Sequence, residues 1–541
     1  MTISKMLVAA TAGTIVALYC NQAAAQDASA TCDPYKEYSC LDSYLGNDVL
    51  DRIFNYYRLE YGEAGPPADP NAPPSRRDGW PATPQTTPPM PFTEWPYGGS
   101  QNLGVTRPNS ADSPLMVGIG NTGLGRWMAD NHLQLYGWVN GGFNVSSNTV
   151  RPGGNAPVAY TYTPNTAQLD QAVLYFERVP DTVQDDHIDW GFRFSVLYGE
   201  TYRYTTAYGI ASWQLLKQNN VNGYDFPMAY FELYVPQIGV GGTLVRVGRF
   251  ISVPDIEAQL APNNYMYTHS LTYSYDNFTN EGIQITTGVT RNLFLQLGVT
   301  DGTESAIWQV GEKIPNPDPN PLYPNTTMLK NPGARPSITG CARYQTDSGN
   351  DDINVCADAI NSGTWGYNNL QWYGFTYYHK FDDRWHVATE FYHEHQDHVP
   401  NALNPTSVAA VAGGGTPFSP QYMPFNAPNL ATCSNASVLS CSASALGVVS
   451  YLNYSPNALN NISFRPEFYD DMQGQRTGVK TRYIDFSLGW QHWLSPQVEF
   501  RPEIGWYESL NAKAFNGNGA AGIPPSKSTT LIAASDVILH F

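Results

Sequence analysis

The chain has 541 residues and a formal charge of −18 at pH 7, and 14% of its residues are charged whereas 13% are aromatic. The acidic surplus argues against a nucleic-acid partner, whose affinity rests on phosphate neutralisation by Lys and Arg, and the aromatic content argues against a wholly disordered chain. Beyond the N-terminus no apolar run reaches the roughly 18 residues that a transmembrane helix needs. Few charges, many aromatic residues and many turn formers are instead typical of a transmembrane β-barrel.

Residues 1–25 predict a secretory signal peptide. Lys5 precedes an apolar run over 6–19, and three alanines ending at Ala25 supply the small residues that precede cleavage. Cys20 then belongs to the discarded peptide and is not the lipidated cysteine of a lipoprotein. The mature chain is expected in an oxidising compartment, where disulfides form.

The six remaining cysteines fall into three local pairs, each in a loop-like stretch rich in Pro, Gly and Asn. We expect nearest neighbours to be linked, because other connectivities would join distant loops. A structural zinc site is disfavoured, since no pair has the short CxxC spacing with a nearby His. The predicted disulfides are Cys32 with Cys40, Cys341 with Cys356, and Cys433 with Cys441.

Residues 26–130 are interpreted as a periplasmic N-terminal extension. One short amphipathic helix with Asn47 as its cap is predicted from the helical spacing of Leu50, Ile53, Phe54 and Tyr57. Eleven prolines between Pro66 and Pro96 favour an extended linker. This stretch is either a peptidoglycan-facing tether or a solvated linker without a partner.

From about His132 onward the hydrophobic pattern has a period of two, as a membrane barrel requires of strands with one lipid-facing and one lumen-facing side. The segments 188–196, 229–235, 484–491 and 498–506 show it well. Residues 131–541 therefore predict an antiparallel up-and-down barrel of about fourteen strands, within a range of about twelve to sixteen. Short turns alternate with long connections, of which 302–366 and 396–443 are interpreted as insertions on the outer side.

The chain ends on Phe541, with Val537 and Leu539 at every second position before it. This pattern resembles the assembly signal on the last strand of bacterial outer-membrane barrels. The outer-membrane assembly machinery is therefore an expected partner.

Several stretches resemble the OmpL-like β-barrel porin family. They are VLYGETYRYTTAYG at 196–209, VGRFISVPDIEAQLAPNNY at 247–265, FRPE at 464–467 with RTG at 476–478, and a second FRPE at 500–503. The likeness covers about 131–541, with little in the two insertions. It implies an outer-membrane porin of unassigned substrate and supplies no catalytic residues.

The alternation places charges of both signs on the lumen side, where they line the pore and also pair across neighbouring strands. Arg246 and Arg249 face the same side only if the strand bulges at Gly248. The connection 253–278 either folds inward as the constriction or caps the rim. The candidate pore-lining and constriction residues are Arg193, Glu232, Arg246, Arg249, Asp255, Glu257, Arg465, Glu467, Arg501 and Glu503.

No credible active site or metal site is predicted. The run His393-Glu394-His395-Gln396-Asp397-His398 lacks the HExxH register, although His393 and His395 would share one face of a strand. No GxSxG nucleophile elbow appears. The sequence thus predicts no enzyme and no cofactor.

We expect a porin of the bacterial outer membrane, surrounded by lipid, through which small hydrophilic solutes and ions diffuse passively. Either a monomer or a homo-oligomer fits the pattern. The alternative function is an outer-membrane barrel whose long loops serve specific ligand binding or adhesion.

Overall fold

The computed structural model describes residues 42–60, 113–182, 184–206, 210–216, 220–251, 255–277, 279–302, 306–307, 313–315, 328–330, 336–361, 370–382, 384–410, 430–457, 459–495, 497–518 and 522–541. Among these residues, no helix is long and apolar enough to cross a membrane. The predicted signal peptide, the Pro-rich stretch and the predicted Cys32–Cys40 disulfide lie outside the described residues.

One antiparallel sheet closes into a barrel of sixteen strands, and a three-residue strand at Gly223–Asp225 pairs with β3 alone. The wall strands are β1 Leu133–Ser146, β2 Ala167–Arg178, β3 Asp189–Gly199, β4 Ala229–Val235, β5 Thr243–Ile251, β6 Thr279–Gly288, β7 Leu293–Thr300, β8 Ser337–Gln345, β9 Asp351–Ile360, β10 Gln371–Lys380, β11 Trp385–Pro400, β12 Ser440–Asn457, β13 Asn460–Asp471, β14 Thr481–Ser495, β15 Val498–Ser509 and β16 Thr529–His540. Two further three-residue strands, Lys313–Pro315 and Met328–Lys330, pair with each other.

The barrel closes because β1 pairs with β16, from Trp138 opposite His540 to Ser146 opposite Ile532. Closure satisfies the backbone donors and acceptors of both terminal strands. A spanning sheet in lipid requires this, since no water is available there to bond an open edge.

The period of two produces one outward and one inward face on each strand. In β14, Phe486 and Leu488 are 45% and 50% exposed on the outer face, whereas the intervening Asp485 and Ser487 are 1% exposed. Apolar side chains thus face the lipid, and polar ones face the interior.

All fourteen predicted strand segments are confirmed, but the strand count was too low. The interpretation of 302–366 as one outer insertion was wrong, because the hairpin β8–β9 lies within it. Its outward positions include Gly340 and Ala342, which give a weak apolar signal. The insertion predicted at 396–443 is shorter than expected, since β11 continues to Pro400 and β12 begins at Ser440.

Two of the predicted disulfides are confirmed, Cys341–Cys356 and Cys433–Cys441. The expectation that Cys341 and Cys356 lie in a loop was wrong. They face each other across β8 and β9, with Cα atoms 4.1 Å apart.

Short helices lie at the barrel ends and in the connections: α1 Asp42–Leu45, α2 Val49–Glu60, α3 Pro114–Ile119, α4 Gly123–Asp130, α5 Tyr202–Thr205, α6 Trp213–Leu216, α7 Leu271–Ser274 and α8 Pro405–Ala410. The predicted N-terminal helix is confirmed as α2. Leu50 and Phe54 are 63% and 65% exposed, whereas Arg52 is buried and donates from Nε to the Val117 carbonyl of α3 at 2.9 Å. The cap is Asp48, whose Oδ1 accepts from the Leu50 amide.

Phe541 extends the β1–β16 seam at the end of the barrel where β1 begins and β16 ends. Its amide donates to the Gly137 carbonyl and its carbonyl accepts from the Gly137 amide, each at 2.9 Å. The Tyr57 hydroxyl of α2 donates to the neighbouring His540 carbonyl. The last residue is therefore part of the barrel seam.

We predict that Phe541→Ala sharply lowers the amount of inserted barrel without affecting export, because the terminal aromatic is expected to be recognised during assembly. Heat-modifiable protein in isolated outer membranes measures insertion, and Phe541→Tyr, which keeps an aromatic ring, is the matched control. Wild-type levels of inserted Phe541→Ala protein would contradict this prediction.

Mass mapping of unreduced protein is expected to show the Cys341–Cys356 and Cys433–Cys441 linkages. Both pairs should form in an oxidising compartment, since folding places each pair of sulfurs in contact. Free thiols at these four positions in protein recovered from outer membranes would refute the pairing.

Candidate channel constriction

The connection after β5 folds into the barrel interior. We call its described residues, 255–277, the inner loop; positions 253, 254 and 278 of the predicted connection lie outside the described residues. Backbone amides of the inner loop donate to carboxylates on the opposite wall. These bonds are Ile256 to Glu390 of β11 at 2.8 Å, Leu271 to Glu467 of β13 at 2.9 Å and Thr268 to Glu503 of β15 at 3.0 Å.

Arginines of the same wall bind carbonyl groups of the inner loop. Arg465 of β13 donates to Thr268 at 2.7 Å, and Arg501 of β15 donates to Ala261 at 2.6 Å. Arg476, just after β13, donates from Nε to Tyr275 at 3.0 Å. The wall thus supplies both donors and acceptors to a backbone that has no strand partner.

The inner loop also has local order of its own. Ser270 caps α7 by accepting from the Tyr273 amide, and the Glu257 carboxylate accepts from the Ser270 amide, both at 2.9 Å. Gly447 of β12 permits close approach, since a Cβ there would lie 2.7 Å from Thr272. Of the two open interpretations of 253–278, the described residues fit the inward fold and not a cap on the rim.

Burial raises the pKa values of carboxyl groups in the inner loop. Burial raises the pKa of Asp255 to about 8, and the negative charge of Glu257 contributes to the rise. Burial also raises the pKa of Asp276, with a further contribution from Asp255. Desolvation disfavours the charged form of a carboxyl group, and nearby like charges act in the same direction.

All ten candidate pore residues lie buried in the interior, but most of their partners differ from those expected. Each of the three arginines of β3 and β5 is engaged by a carboxylate other than Asp255 and Glu257. The observed ion pairs are Arg193–Glu177 at 2.6 Å, Arg246–Glu232 at 2.8 Å, Arg249–Asp225 at 3.1 Å, Arg465–Asp485 at 3.2 Å and Arg465–Glu257 at 3.6 Å, with Arg501–Asp536 in addition.

The predicted pairing across neighbouring strands occurs, but the arginines of β13 and β15 pair with carboxylates other than Glu467 and Glu503. Arg465 and Arg501 bind carboxylates of β14 and β16, while Glu467 and Glu503 bind the inner loop. Arg501 lies directly opposite Asp536 in the strand register, and Arg465 lies diagonal to Asp485, which is directly opposite Glu467.

Arg246 and Arg249 are both buried, as a bulge at Gly248 was expected to allow. The register of β5 with β4 and with β6 nevertheless continues across Gly248 without an inserted residue. Gly248 instead has a φ of +135°, which glycine adopts without the penalty that a side chain carries. The local turn of the backbone, and not a bulge, brings Arg249 to Asp225.

Sequence reasoning missed Glu177, Asp225, Asp276, Arg476 and Asp536 as interior residues. Glu177 and Asp536 lie on inward positions of regular strands, so a fuller use of the alternation would have found them. Asp225 and Asp276 lie outside the wall strands, where no periodic pattern applies.

The whole His-rich run lies on β11, including residues 396–398, which were predicted to begin the outer insertion. The rings of His393 and His395 are on one face with centroids 6.3 Å apart, and His395 Nε2 lies 3.2 Å from Asp397 Oδ1. Among the described residues these histidines are not part of a cluster of three or more ligating side chains, and the cluster that does occur is formed by Asp255, Asp276 and Glu390.

Comparison with known proteins places this barrel among porins. The family described as "Putative beta-barrel porin-2, OmpL-like" matches residues 132–541. No curated protein matches the chain in sequence. One similar solved structure is the anion-selective porin from Comamonas acidovorans, which is 9% identical, covers 76% of this chain and 99% of its own chain, and has a TM-score of 0.44. Another is the outer membrane channel DcaP of Acinetobacter baumannii, which is 9% identical, covers 76% of this chain and 97% of its own chain, and has a TM-score of 0.43.

Glu467→Ala is expected to lower the free energy of unfolding by about 2–5 kcal/mol, because the buried amides of Leu271 and Thr272 lose their acceptor. Urea unfolding of the purified barrel, followed by Trp fluorescence, measures the change. Ser463→Ala on the same strand is the matched control, since Ser463 bonds Asn453 and Asn461 of the wall and does not bond the inner loop. Equal destabilisation by the two variants would contradict the role assigned to Glu467.

Proposed function

The chain belongs to the OmpL-like β-barrel porin family and is an outer-membrane porin for passive diffusion, and we propose that its inner loop determines which solutes pass. The observation that carries the proposal is that the inner loop crosses the interior and bonds β11, β13 and β15. A solute moving along the barrel axis must therefore pass beside it. No cofactor or energy input enters this mechanism.

The proposed constriction contains charges of both signs. Glu257 of the inner loop lies beside Arg465, and Arg246 and Arg249 line β5 with their own carboxylate partners. Such a wall orders water and polarises the path without the strong selection that a ring of one sign would impose. We propose that small hydrophilic solutes and ions pass, with modest charge preference.

The size of the opening depends on how firmly the inner loop is held. Its side chains are almost completely buried against the wall, including Ile256 and Tyr267. A tightly packed segment leaves a narrow path for solutes. The proposal therefore includes a low conductance for the wild-type channel.

We predict that replacing residues 258–274 with a short Gly/Ser linker raises single-channel conductance at least twofold, because the cross-section of the path increases. The measurement uses purified protein in planar bilayers. The same linker in place of 517–524, in the connection after β15, is the matched control and should leave conductance unchanged. Unchanged conductance in the inner-loop variant would refute the proposed constriction, and a complete lack of channels in the wild type would favour the ligand-binding or adhesion alternative.

Charge changes at the constriction should alter ion selectivity in opposite directions. Asp255→Asn with Glu257→Gln is expected to shift preference toward anions at a pH above about 8, because burial raises the pKa of Asp255 to about 8 and its carboxyl group is mostly protonated at lower pH. Arg246→Gln with Arg249→Gln is expected to shift it toward cations, since Glu232 and Asp225 then lose their partners. Reversal potentials across a salt gradient measure both shifts, which should be larger at low salt because screening is weaker. Wild-type selectivity in both double variants would place the selective region elsewhere.

A further inference from the structure

Three carboxylates meet where the two ends of the inner loop approach the wall. Asp255 and Asp276 lie at opposite ends of the inner loop, and Glu390 lies on β11. One oxygen from each lies within 4.8 Å of the others. The three residues are 4%, 0% and 1% exposed, respectively.

Each carboxylate has one buried oxygen with no hydrogen-bond partner: Asp255 Oδ1, Asp276 Oδ2 and Glu390 Oε1. Two of the second oxygens are engaged by the backbone. Asp276 Oδ1 accepts from the Asn277 amide at 2.6 Å, and Glu390 Oε2 accepts from the Ile256 amide at 2.8 Å. These bonds orient two of the carboxylates. The carboxyl groups of Asp255 and Asp276 also lie within hydrogen-bonding distance of each other, which requires either a shared proton or a cation between them.

Among the described residues no Lys, Arg or His forms an ion pair with Asp255, Asp276 or Glu390. The arginines of the same region are engaged elsewhere, Arg465 with Glu257 and Asp485. Buried carboxylates without a cation are strongly disfavoured by desolvation and by mutual repulsion. The group therefore requires either a bound cation or protons to compensate its charge.

We propose that Asp255, Asp276 and Glu390 bind one divalent cation of the calcium type. Carboxylate oxygens are the ligands that hard divalent cations prefer, and calcium accepts them at about 2.3–2.6 Å in a flexible geometry. Oxygens on opposite sides of a calcium ion are thus up to about 5 Å apart, which matches the observed grouping. Backbone carbonyls and water would complete the coordination.

The cation would join the two ends of the inner loop to β11. This consequence rests on the proposed function, because an inner loop fixed at its base holds the constriction in place. Since the site is fully buried, the cation would enter while the barrel folds. Removing it would loosen the inner loop without opening the wall.

Elemental analysis of the full mature protein, purified from outer membranes without chelator, tests the site directly. We expect about one calcium per chain after dialysis. Protein unfolded in EGTA and refolded at increasing CaCl2 concentrations should retain calcium after dialysis, and the concentration that gives half occupancy measures the affinity. Asp276→Asn and Glu390→Gln should each weaken that binding at least tenfold.

Glu499→Gln is the matched control, since Glu499 is also a buried wall carboxylate but bonds Gln491 and lies outside the cluster. Heat-modifiable migration confirms folding of every variant, and if the cluster variants do not fold, the calcium content of the wild type decides. Wild-type protein without bound calcium, or wild-type calcium affinity in both cluster variants, would overturn the site. If the wild-type protein contains no calcium but still conducts, the calcium site is refuted and the proposed function stands.

Discussion

The inner loop depends on hydrogen bonds between its backbone and charged side chains of the barrel wall. In the wall, the strand ladder satisfies the amides and carbonyls, as the surrounding lipid requires. The inner loop has no such ladder, and buried backbone groups without partners are costly. Glu467 and Glu503 accept from its amides, and Arg465 and Arg501 donate to its carbonyls.

This arrangement changes what the interior charges do. In a wide pore, lumen charges act mainly on permeating ions, whereas here many of them position the inner loop or pair with each other. Arg465 does both, because it binds Thr268 of the inner loop and Asp485 of the wall. In the proposed constriction, selectivity depends on the position of the inner loop as much as on the sign of any one residue.

Much of the fold could be predicted from the sequence, because lipid on one side and polar groups on the other impose a period of two. The hairpin β8–β9 was missed where that pattern is weakest, at Gly340 and Ala342. The contacts between the inner loop and the wall could not be predicted, since Ile256 and Glu390 are 134 positions apart and no local pattern relates them. The partner of Arg249 depended on the backbone of Gly248, which the alternation alone does not specify.

Hydrogen–deuterium exchange of the amides of the inner loop tests most directly whether the wall holds it inside the barrel. The account predicts that the amides of Ile256, Thr268 and Leu271 exchange slowly, at rates similar to those of amides in β13, because their acceptors are buried glutamates. The amides of Asp347 and Ser348, at the exposed positions of the β8–β9 turn, provide the fast reference. Exchange of the inner-loop amides as fast as that reference would show that the inner loop is not bound to the wall and would contradict the account.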